Sequence, residues 1–421
     1  MNGVKKILKI VTPSFILGIY HCTKAYMSAL LYNFPSKKLI VIGITGTKGK
    51  SSTANFMWSG LTSAGLKVGL LSTANIRIGN TEYLNKYHMT MPSPLIIQKK
   101  LYQMLEQKCN VAIIEVTSEG IKQYRHIGIN FDILIFTNLT PEHISSHGSF
   151  ENYKLTKLKI FKNLSKSYRK IINDIKIPKV IIANADSPES GSFLEQISDV
   201  KIKYSIYDTS ADIKSADYNL KLQIPGQFNI YNALPALAVS KVLKLNTNKV
   251  VDGLNNLSKI PGRMEILQDK PFKVIIDYAH EKVSLTELLV YAKNEKKQGK
   301  IILLIGAEGG GRDKSKRKIM GEIGAREADF LIISNVDPYD EDPKNIISDI
   351  ANAAENAGMK VDKNLFLIEN REDGILKAIK LAQSNDIVLI TGKGAEQSMI
   401  IGNSKIPWDD REVAKKIMHI K

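Results

Sequence analysis

Ten short apolar runs, rich in Ile, Val and Leu, alternate with longer stretches of helical periodicity, and no other feature constrains the fold of this chain as tightly. The first five are "LIVIGIT" (39–45), "KVGLLST" (67–73), "VAIIEVT" (111–117), "FDILIFT" (131–137) and "KVIIANA" (179–185). A polar stretch follows, then the Asn-rich helix entry "GQFNIYNALPALAVSKVL" (226–243) and the Pro-Gly punctuation of "KIPGRMEIL" (259–267). The second series is "KVIIDYA" (273–279), "KIILLIGA" (300–307), "DFLIISN" (329–335), "NLFLIEN" (364–370) and "DIVLITGKG" (386–394). Strand–helix alternation of this kind builds a mostly parallel sheet covered by helices, the α/β class. At 421 residues the chain exceeds one ordinary core, so two α/β domains are expected, joined near residues 262–272.

The polar residues are placed where such sheets bind ligands. Gly46 to Lys50, Glu115, Asn138, Asp277, Arg312 and Gly392 each follow an apolar run closely, and the crevice of an open α/β sheet lies beyond the carboxyl ends of its strands. The densest such segment is "VIGITGTKGKSS" (41–52). It departs by one residue from the common phosphate-loop spacing GxxxxGK[ST], because Ile44 stands where the first glycine belongs. The physics survives the departure: Gly46 and Gly49 let backbone N–H groups face an anion, the following helix adds its dipole, and Lys50 adds a point charge. Ser51 supplies a hydroxyl for Mg²⁺.

A formal charge of +17 points to anionic partners, but the lysines are scattered and no arginine-rich arm marks a nucleic-acid binder. The two cysteines, Cys22 and Cys109, are far apart and form no metal or disulfide pattern, which fits a reducing cytoplasm. Residues 5–34 are basic, then apolar, but His21, Thr23 and Lys24 break the run before it reaches the roughly 20 residues of a membrane span. Thr12-Pro13 reads as a helix start and Asn33-Phe34-Pro35 as a stop. The expected amphipathic helix either docks on the body of the protein or lies peripherally on the membrane interface.

Read together with "EVTSEGIKQYR" (115–125), "TNLTPEHISSHGSFENYKLTKLKIF" (137–161), "GRME" (262–265), "DYAH" (277–280), "GGGRDKSKR" (309–317), "DPYDEDP" (337–343) and "GKGAEQ" (392–397), the loop resembles that of the Mur ligases. These are the ATP-dependent amide-bond-forming enzymes of peptidoglycan precursor synthesis. The likeness runs from about residue 39 to 421 and is greatest to the branch that adds the third residue of the stem peptide. It implies a helical segment (1–36), a central P-loop ATPase-like domain (37–263) and a C-terminal Rossmann-like α/β domain (264–421).

The resemblance also implies roles. ATP would be held by Gly46, Thr47, Lys48, Gly49, Lys50, Ser51, Ser52, Asn138, Asn232, Arg263, Asp277 and His280. Catalysis would rest on Lys50, Glu115, His143 and Lys157, with two Mg²⁺ ions held by Ser51, Glu115, His143 and Lys157 carrying a CO₂-derived carbamate. A carbamate turns a cation into an oxygen ligand. Thr90, Thr117, Ser118, Gln123 and Arg125 would bind the nucleotide-sugar peptide, and Arg312, Asp337, Tyr339, Gly392 and Glu396 the incoming amino acid. The implied reaction activates a carboxylate with ATP and adds an amino acid, a diamino acid by the presence of Glu396.

Two departures qualify the likeness. Only 38 residues precede the first strand, below the ~40 that fold alone, so the family's N-terminal uridine-binding domain is not expected. Tyr339 stands where diaminopimelate-selecting members carry an arginine, and a phenol cannot make that bidentate ion pair. A sister ligase acting on another carboxylate, folylpolyglutamate-type or lipid-linked, and a non-catalytic nucleotide-binding scaffold are the alternative readings. Retention of Lys50, Glu115, His143 and Lys157 argues against the scaffold.

Overall fold

The computed structural model describes residues 14–142 and 144–420, so His143 lies outside the described residues. It divides into two compact units. The first holds the described chain up to Tyr83 with Met89–Lys221 and Ile230–Asn256; the second holds Leu84–His88, Leu222–Asn229 and Leu257 onward.

The first unit opens with helix α1 (Ser14–Leu31), then β1 (Ile40–Thr45), α2 (Lys50–Ser63), β2 (Val68–Leu71), β3 (Asn75–Ile78) and β4 (Thr81–Leu84). There follow α3 (Pro94–Glu106), β5 (Val111–Glu115), α4 (Ser118–Lys122), β6 (Ile133–Phe136), α5 (Phe150–Lys162), β7 (Val180–Asn184), β8 (Val200–Ser205) and β9 (Ile213–Lys214). Helices α6 (Phe228–Val242) and α7 (Thr247–Asn256) close the series. The sheet order is β9-β8-β7-β6-β1-β5-β2-β3-β4. β1, β5, β6 and β7 are buried throughout apart from the first residue of β1, so the unit's core is the parallel centre of this sheet. Buried Ile, Val and Leu are what a strand covered on both faces requires.

One ionic cluster fixes the lower end of the central strands. The Asp132 carboxylate, fully buried, pairs with Lys170 Nζ (2.5 Å) and Lys179 Nζ (3.0 Å), both fully buried, and accepts from the Val41 N–H at 2.9 Å. The ammonium groups complete their shells on the carbonyls of Leu39, Asn130 and Phe131.

The second unit runs β10 (Glu265–Gln268), β11 (Lys273–Asp277), α8 (Lys282–Glu295), β12 (Ile301–Ile305), α9 (Ser315–Glu327) and β13 (Phe330–Ile333). It continues with α10 (Pro343–Asn356), β14 (Leu365–Leu367), α11 (Arg371–Leu381), β15 (Ile387–Thr391) and α12 (Asp410–Met418). Its sheet has the order β10-β11-β15-β12-β13-β14, parallel except for β10. Val274, Ile276, Ile302, Leu304, Ile332, Val388 and Ile390 form one packed core with Ile375 and Ala414 of the covering helices. Arg371, fully buried, is neutralised bidentately by Asp410 at 2.7 Å, tying α11 to α12.

All ten expected strands are present, within one to three residues of the apolar runs at each end. The short strands β3, β4, β8, β9 and β10 carry weaker apolar signals and were not legible as runs. The N-terminal helix ends at Leu31, two residues before its expected stop at Asn33, and it packs on α3; its expected start at Thr12-Pro13 lies outside the described residues.

The Asp132 cluster makes a direct stability prediction. Replacing Asp132 by Asn leaves two buried ammonium groups without their counter-charge, so the variant is expected to lose about 3–5 kcal/mol of unfolding free energy. Urea denaturation against the parent chain measures this, and a change under about 1 kcal/mol would refute the assignment.

Candidate active site

β1 lies between β5 and β6, so the strand order reverses on either side of it and the crevice opens where the loop after β1 begins. Here Gly46 has φ 152° and Gly49 φ 78°. A Cβ on Gly46 would lie 2.0 Å from Thr137 Oγ1, and one on Gly49 2.3 Å from Asn232 Oδ1. Only glycine allows the loop to turn this tightly against its neighbours. Residues 137 and 138, just past β6, then fasten it. Thr47 N–H donates to the Asn138 carbonyl (2.8 Å), Lys48 N–H to Asn138 Oδ1 (2.9 Å), and Thr137 Oγ1 to the Lys48 carbonyl (2.7 Å). Asn138 thus braces the loop with its side chain.

Gly49 ends the turn in the left-handed region and α2 starts at Lys50, so Lys50, Ser51 and Ser52 form the first helical turn. Lys50 curls back over the loop, its Nζ donating to the carbonyls of Gly46 (3.1 Å) and Thr47 (2.8 Å). Lys48 reaches Glu142 at 2.5 Å. Asn232, on α6, accepts from Thr53 of α2 at 3.4 Å. A cradle that a Cβ would fill, a helix N-terminus and a lysine at its mouth fit a phosphate group.

Glu115 ends β5 beside Ile44 in register and is fully buried. Its two oxygens accept from Thr73 N–H (2.8 Å) and Thr73 Oγ1 (3.0 Å), and the Thr90 hydroxyl lies 2.8 Å from Thr73 Oγ1, able to donate to it. A buried carboxylate fixed by two donors on one side keeps lone pairs for a hard cation, and Ser51 on α2 offers a hydroxyl of the same class.

Lys157 explains itself by helix geometry. Ser149 caps α5 through the Asn152 N–H, and Tyr153, Lys157, Ile160 and Phe161 fall on its buried stripe. The Lys157 side chain is 1% exposed, and its Nζ reaches the Gly46 carbonyl at 2.9 Å and Thr45 Oγ1 at 3.4 Å. Burial, and then the charge of Lys50 nearby, pull its pKa well below the ordinary lysine value, against a weaker opposing effect of Glu142.

The segment after β5 is internally tied. Thr117 caps α4 by accepting from Gly120 N–H (3.1 Å), and Ser118 Oγ meets His147 Nε2 at 3.1 Å. Gln123 Oε1 accepts from Arg125 Nη2 at 2.6 Å, and Arg125 Nη1 donates to the Met91 carbonyl. Arg125 therefore holds the loop carrying Thr90 against this segment.

The second unit assembles its own constellation at the carboxyl ends of β11, β12, β13 and β15. Asp277 accepts from the N–H groups of Met264 and Ala279, both at 2.7 Å, and burial raises its pKa against the opposing charge of Arg263. The Arg263 guanidinium lies over the Tyr278 ring, 4.2 Å from its centroid, and His280 Nδ1 meets the Tyr278 carbonyl at 2.8 Å. Arg312 approaches Tyr339 Oη at 3.5 Å and Glu308 at 3.8 Å. Burial alone would raise Glu308, but Lys316, His280, Arg312 and Lys393 together pull its carboxyl down to about 2.

Beside them, Lys393 is fully buried and bridges Asp337 Oδ2 (2.9 Å) and Glu396 Oε2 (2.7 Å). His88 closes on both carboxylates, 3.4 Å from Asp337 and 3.7 Å from Glu396, and Tyr278 Oη donates to Glu396 at 3.1 Å. The hydrogen bond to Asp337 raises the His88 pKa above its usual 6.5. The Asp337–Glu396–His88 group has donors of metal-binding type, yet Lys393 Nζ already occupies hydrogen-bond distance from both carboxylates.

Two family models match the chain: the Mur ligase middle domain over residues 44–240, and the Mur ligase glutamate ligase domain over 262–394. The chain belongs to the Mur ligase family. Among curated relatives it is 38% identical to UDP-N-acetylmuramoyl-L-alanyl-D-glutamate–2,6-diaminopimelate ligase 1 of Clostridium acetobutylicum, covering 94% of this chain and 81% of that one. It is 31% identical, with the same coverage, to UDP-N-acetylmuramyl-tripeptide synthetase of Roseiflexus. Among solved structures, folylpolyglutamate synthase of Mycobacterium tuberculosis superposes with a TM-score of 0.67 at 18% identity, over 88% of this chain and 92% of that one, a likeness of fold.

The structure of this Mur ligase adds residues that sequence reasoning missed. Lys393 sat inside "GKGAEQ" and His88 opens the segment "HMTMPSP" around Thr90, but neither carried a signal of its own. A lysine two residues after a fully buried strand was the available hint for Lys393. His88 had none, because its partners lie far away in sequence.

The loop geometry predicts that Gly46→Ala weakens ADP and ATP binding at least about tenfold, since the loop must open by more than an ångström to admit the methyl group. Gly191→Ala, where nothing lies within 4 Å, is the control and should leave binding unchanged. Calorimetric titration with nucleotide distinguishes the two.

Proposed function

We propose that this Mur ligase couples ATP cleavage to amide-bond formation, adding a diamino acid to the free carboxylate of a UDP-MurNAc-dipeptide in peptidoglycan precursor synthesis. The relatives named for that reaction, 31–38% identical over most of the chain, support the substrate class. The observation that carries the diamino-acid part is the Asp337–Lys393–Glu396 group beside Arg312. Two carboxylates against one ammonium leave a net negative charge for a substrate amine, while the Arg312 fork matches a carboxylate. Tyr339 offers no bidentate partner of the kind an arginine would give a second, distal carboxylate.

In this reading Gly46–Ser52 hold the ATP phosphates, with Lys50 on the terminal ones, and Asn232, Arg263, Asp277 and His280 contribute to the nucleotide. Bound ATP and Mg²⁺ supply the activation of the substrate carboxylate as an acyl phosphate. Ser51 and Glu115 hold metal, joined by His143 and by Lys157 as a carbamate. Lys157 is suited to that modification because its buried amine faces neutral oxygens and is biased to the deprotonated form. The amine adds to CO₂ with loss of one proton, leaving an anionic oxygen ligand. Thr90, Thr117, Ser118, Gln123 and Arg125 hold the peptide end of the acceptor, and dry positioning protects the activated carboxylate from water.

The test is phosphate release from ATP with UDP-MurNAc-L-Ala-D-Glu and a panel of amino acids, with product masses checked. Release requiring both substrates, with one diamino acid added, is expected; addition of glutamate to a folate instead would overturn the reading. The same assay without CO₂ and bicarbonate should slow severalfold if Lys157 is a carbamate, and an unchanged rate would remove that assignment.

His88 adds a pH prediction. Below its raised pKa the imidazolium balances the second carboxylate; above it that carboxylate is left for the substrate amine. KM for the diamino acid should therefore fall by roughly three- to tenfold, the worth of one partly screened charge pair, as pH rises through this pKa. His88→Gln should flatten the profile with little change in kcat, and a profile that persists in the variant would refute the role.

A further inference from the structure

Helix α1 is amphipathic in the opposite sense to a helix that merely rests on a protein. Its side toward the first unit carries small residues: Ala25 and Ala29 are fully buried and Ser28 nearly so. The approach is close, since a Cβ on Gly128 would lie 2.5 Å from Ala29 Cβ, and one on Gly18 3.4 Å from the Tyr124 hydroxyl. Tyr32 packs on Tyr102 of α3 at 5.8 Å. The large apolar side chains point the other way. Phe15 (67% exposed), Ile16, Ile19 (61%), Tyr20, Tyr26, Met27, Leu30 and Leu31 (70%) all stand in solvent. At 100° per residue these eight fall within one half of the helix circumference. A contiguous apolar face of this kind on a docked helix marks an interaction surface.

The charge around it identifies the occupant. Residues 1–38 contain Lys5, Lys6, Lys9, Lys24, Lys37 and Lys38 and no Asp or Glu. Lys24, Lys37 and Lys38 are exposed, and Lys37 lies over the Phe34 ring at 4.7 Å, next to the end of α1. Self-association through this face would bring together the exposed Lys24, Lys37 and Lys38 of two copies with no acidic residue of α1 to offset them, which like-charge repulsion disfavours. No helix among the described residues is long and apolar enough to cross a membrane. An interfacial helix needs only what α1 has: an apolar face, lysines at its edge and tyrosines able to sit at headgroup level.

We propose that the outward face of α1 docks on an anionic lipid surface, holding the ligase at a membrane by its first unit. The proposal is independent of which amino acid the enzyme adds. The experiment is flotation of the full-length protein with phosphatidylglycerol–phosphatidylcholine vesicles and with phosphatidylcholine alone, after nucleotide binding has confirmed a folded preparation. Binding to the anionic vesicles is expected, weakened at least about tenfold by Lys24→Glu and abolished by the double change Ile19→Glu, Leu30→Glu. Both sites of the double change are solvent-exposed, so its thermal unfolding and ATP binding should match the parent chain. Failure of the folded parent to float with anionic vesicles overturns the proposal. So does a dimer in solution, dissociated by the same double change, which would give the face to a second copy.

Discussion

The close approach of Gly46 to Thr137 is the constraint on which the first unit's chemistry depends. With only hydrogen on Gly46, the strand end of β1 can pass within reach of the backbone after β6, and the next two peptide groups become fixed to Asn138. That fixation places the Gly46 carbonyl where both Lys50 and Lys157 donate to it. Two lysines from different helices are thus referred to one carbonyl oxygen. Their mutual repulsion is part of what keeps the more buried of them short of protons.

The second unit reaches a comparable concentration of charge by other means. Its sheet sets the ends of β11, β15, β12 and β13 in one row, and these are followed within four residues by Tyr278, Lys393, Glu308 and Asp337. Gly392, at φ 104°, lets the chain turn out of β15 so that Lys393 points back between Asp337 and Glu396. The Ile400 N–H caps the other oxygen of Asp337 at 2.7 Å, so that carboxylate is immobile. The charge balance of this group differs by one unit according to the state of His88.

The strands were legible because buried parallel strands must be uniformly apolar, and the mostly parallel class followed from the α/β alternation, while the strand order needed the structure. The phosphate loop was legible because its glycines are demanded by sterics and its lysine by charge. Lys157 was legible only through its family motif, although Tyr153, Ile160 and Phe161 around it mark the apolar side of α5 and a lysine on that stripe is anomalous in itself. Asn138 shows the limit: an amide after a strand reads the same in sequence whether it touches a ligand or braces a loop. His88 and the inverted face of α1 needed the structure. The first depends on pairings hundreds of residues apart, and the second on knowing which half of an amphipathic helix is turned inward.

Lys157 and Lys393 are both buried almost completely, and comparing them shows why burial alone does not define a lysine's chemistry. Each pays the same desolvation penalty on its charged form. Lys393 meets two carboxylates at hydrogen-bond distance, so its pKa is held above the ordinary value in spite of that penalty. Lys157 meets a carbonyl and a hydroxyl, with another lysine as its nearest strong charge, so its pKa falls. The first is therefore a permanent cation that tempers an acidic pocket. The second is a buried amine among neutral oxygens, and Glu151, the one carboxylate of α5, is paired with Lys154 on the exposed side.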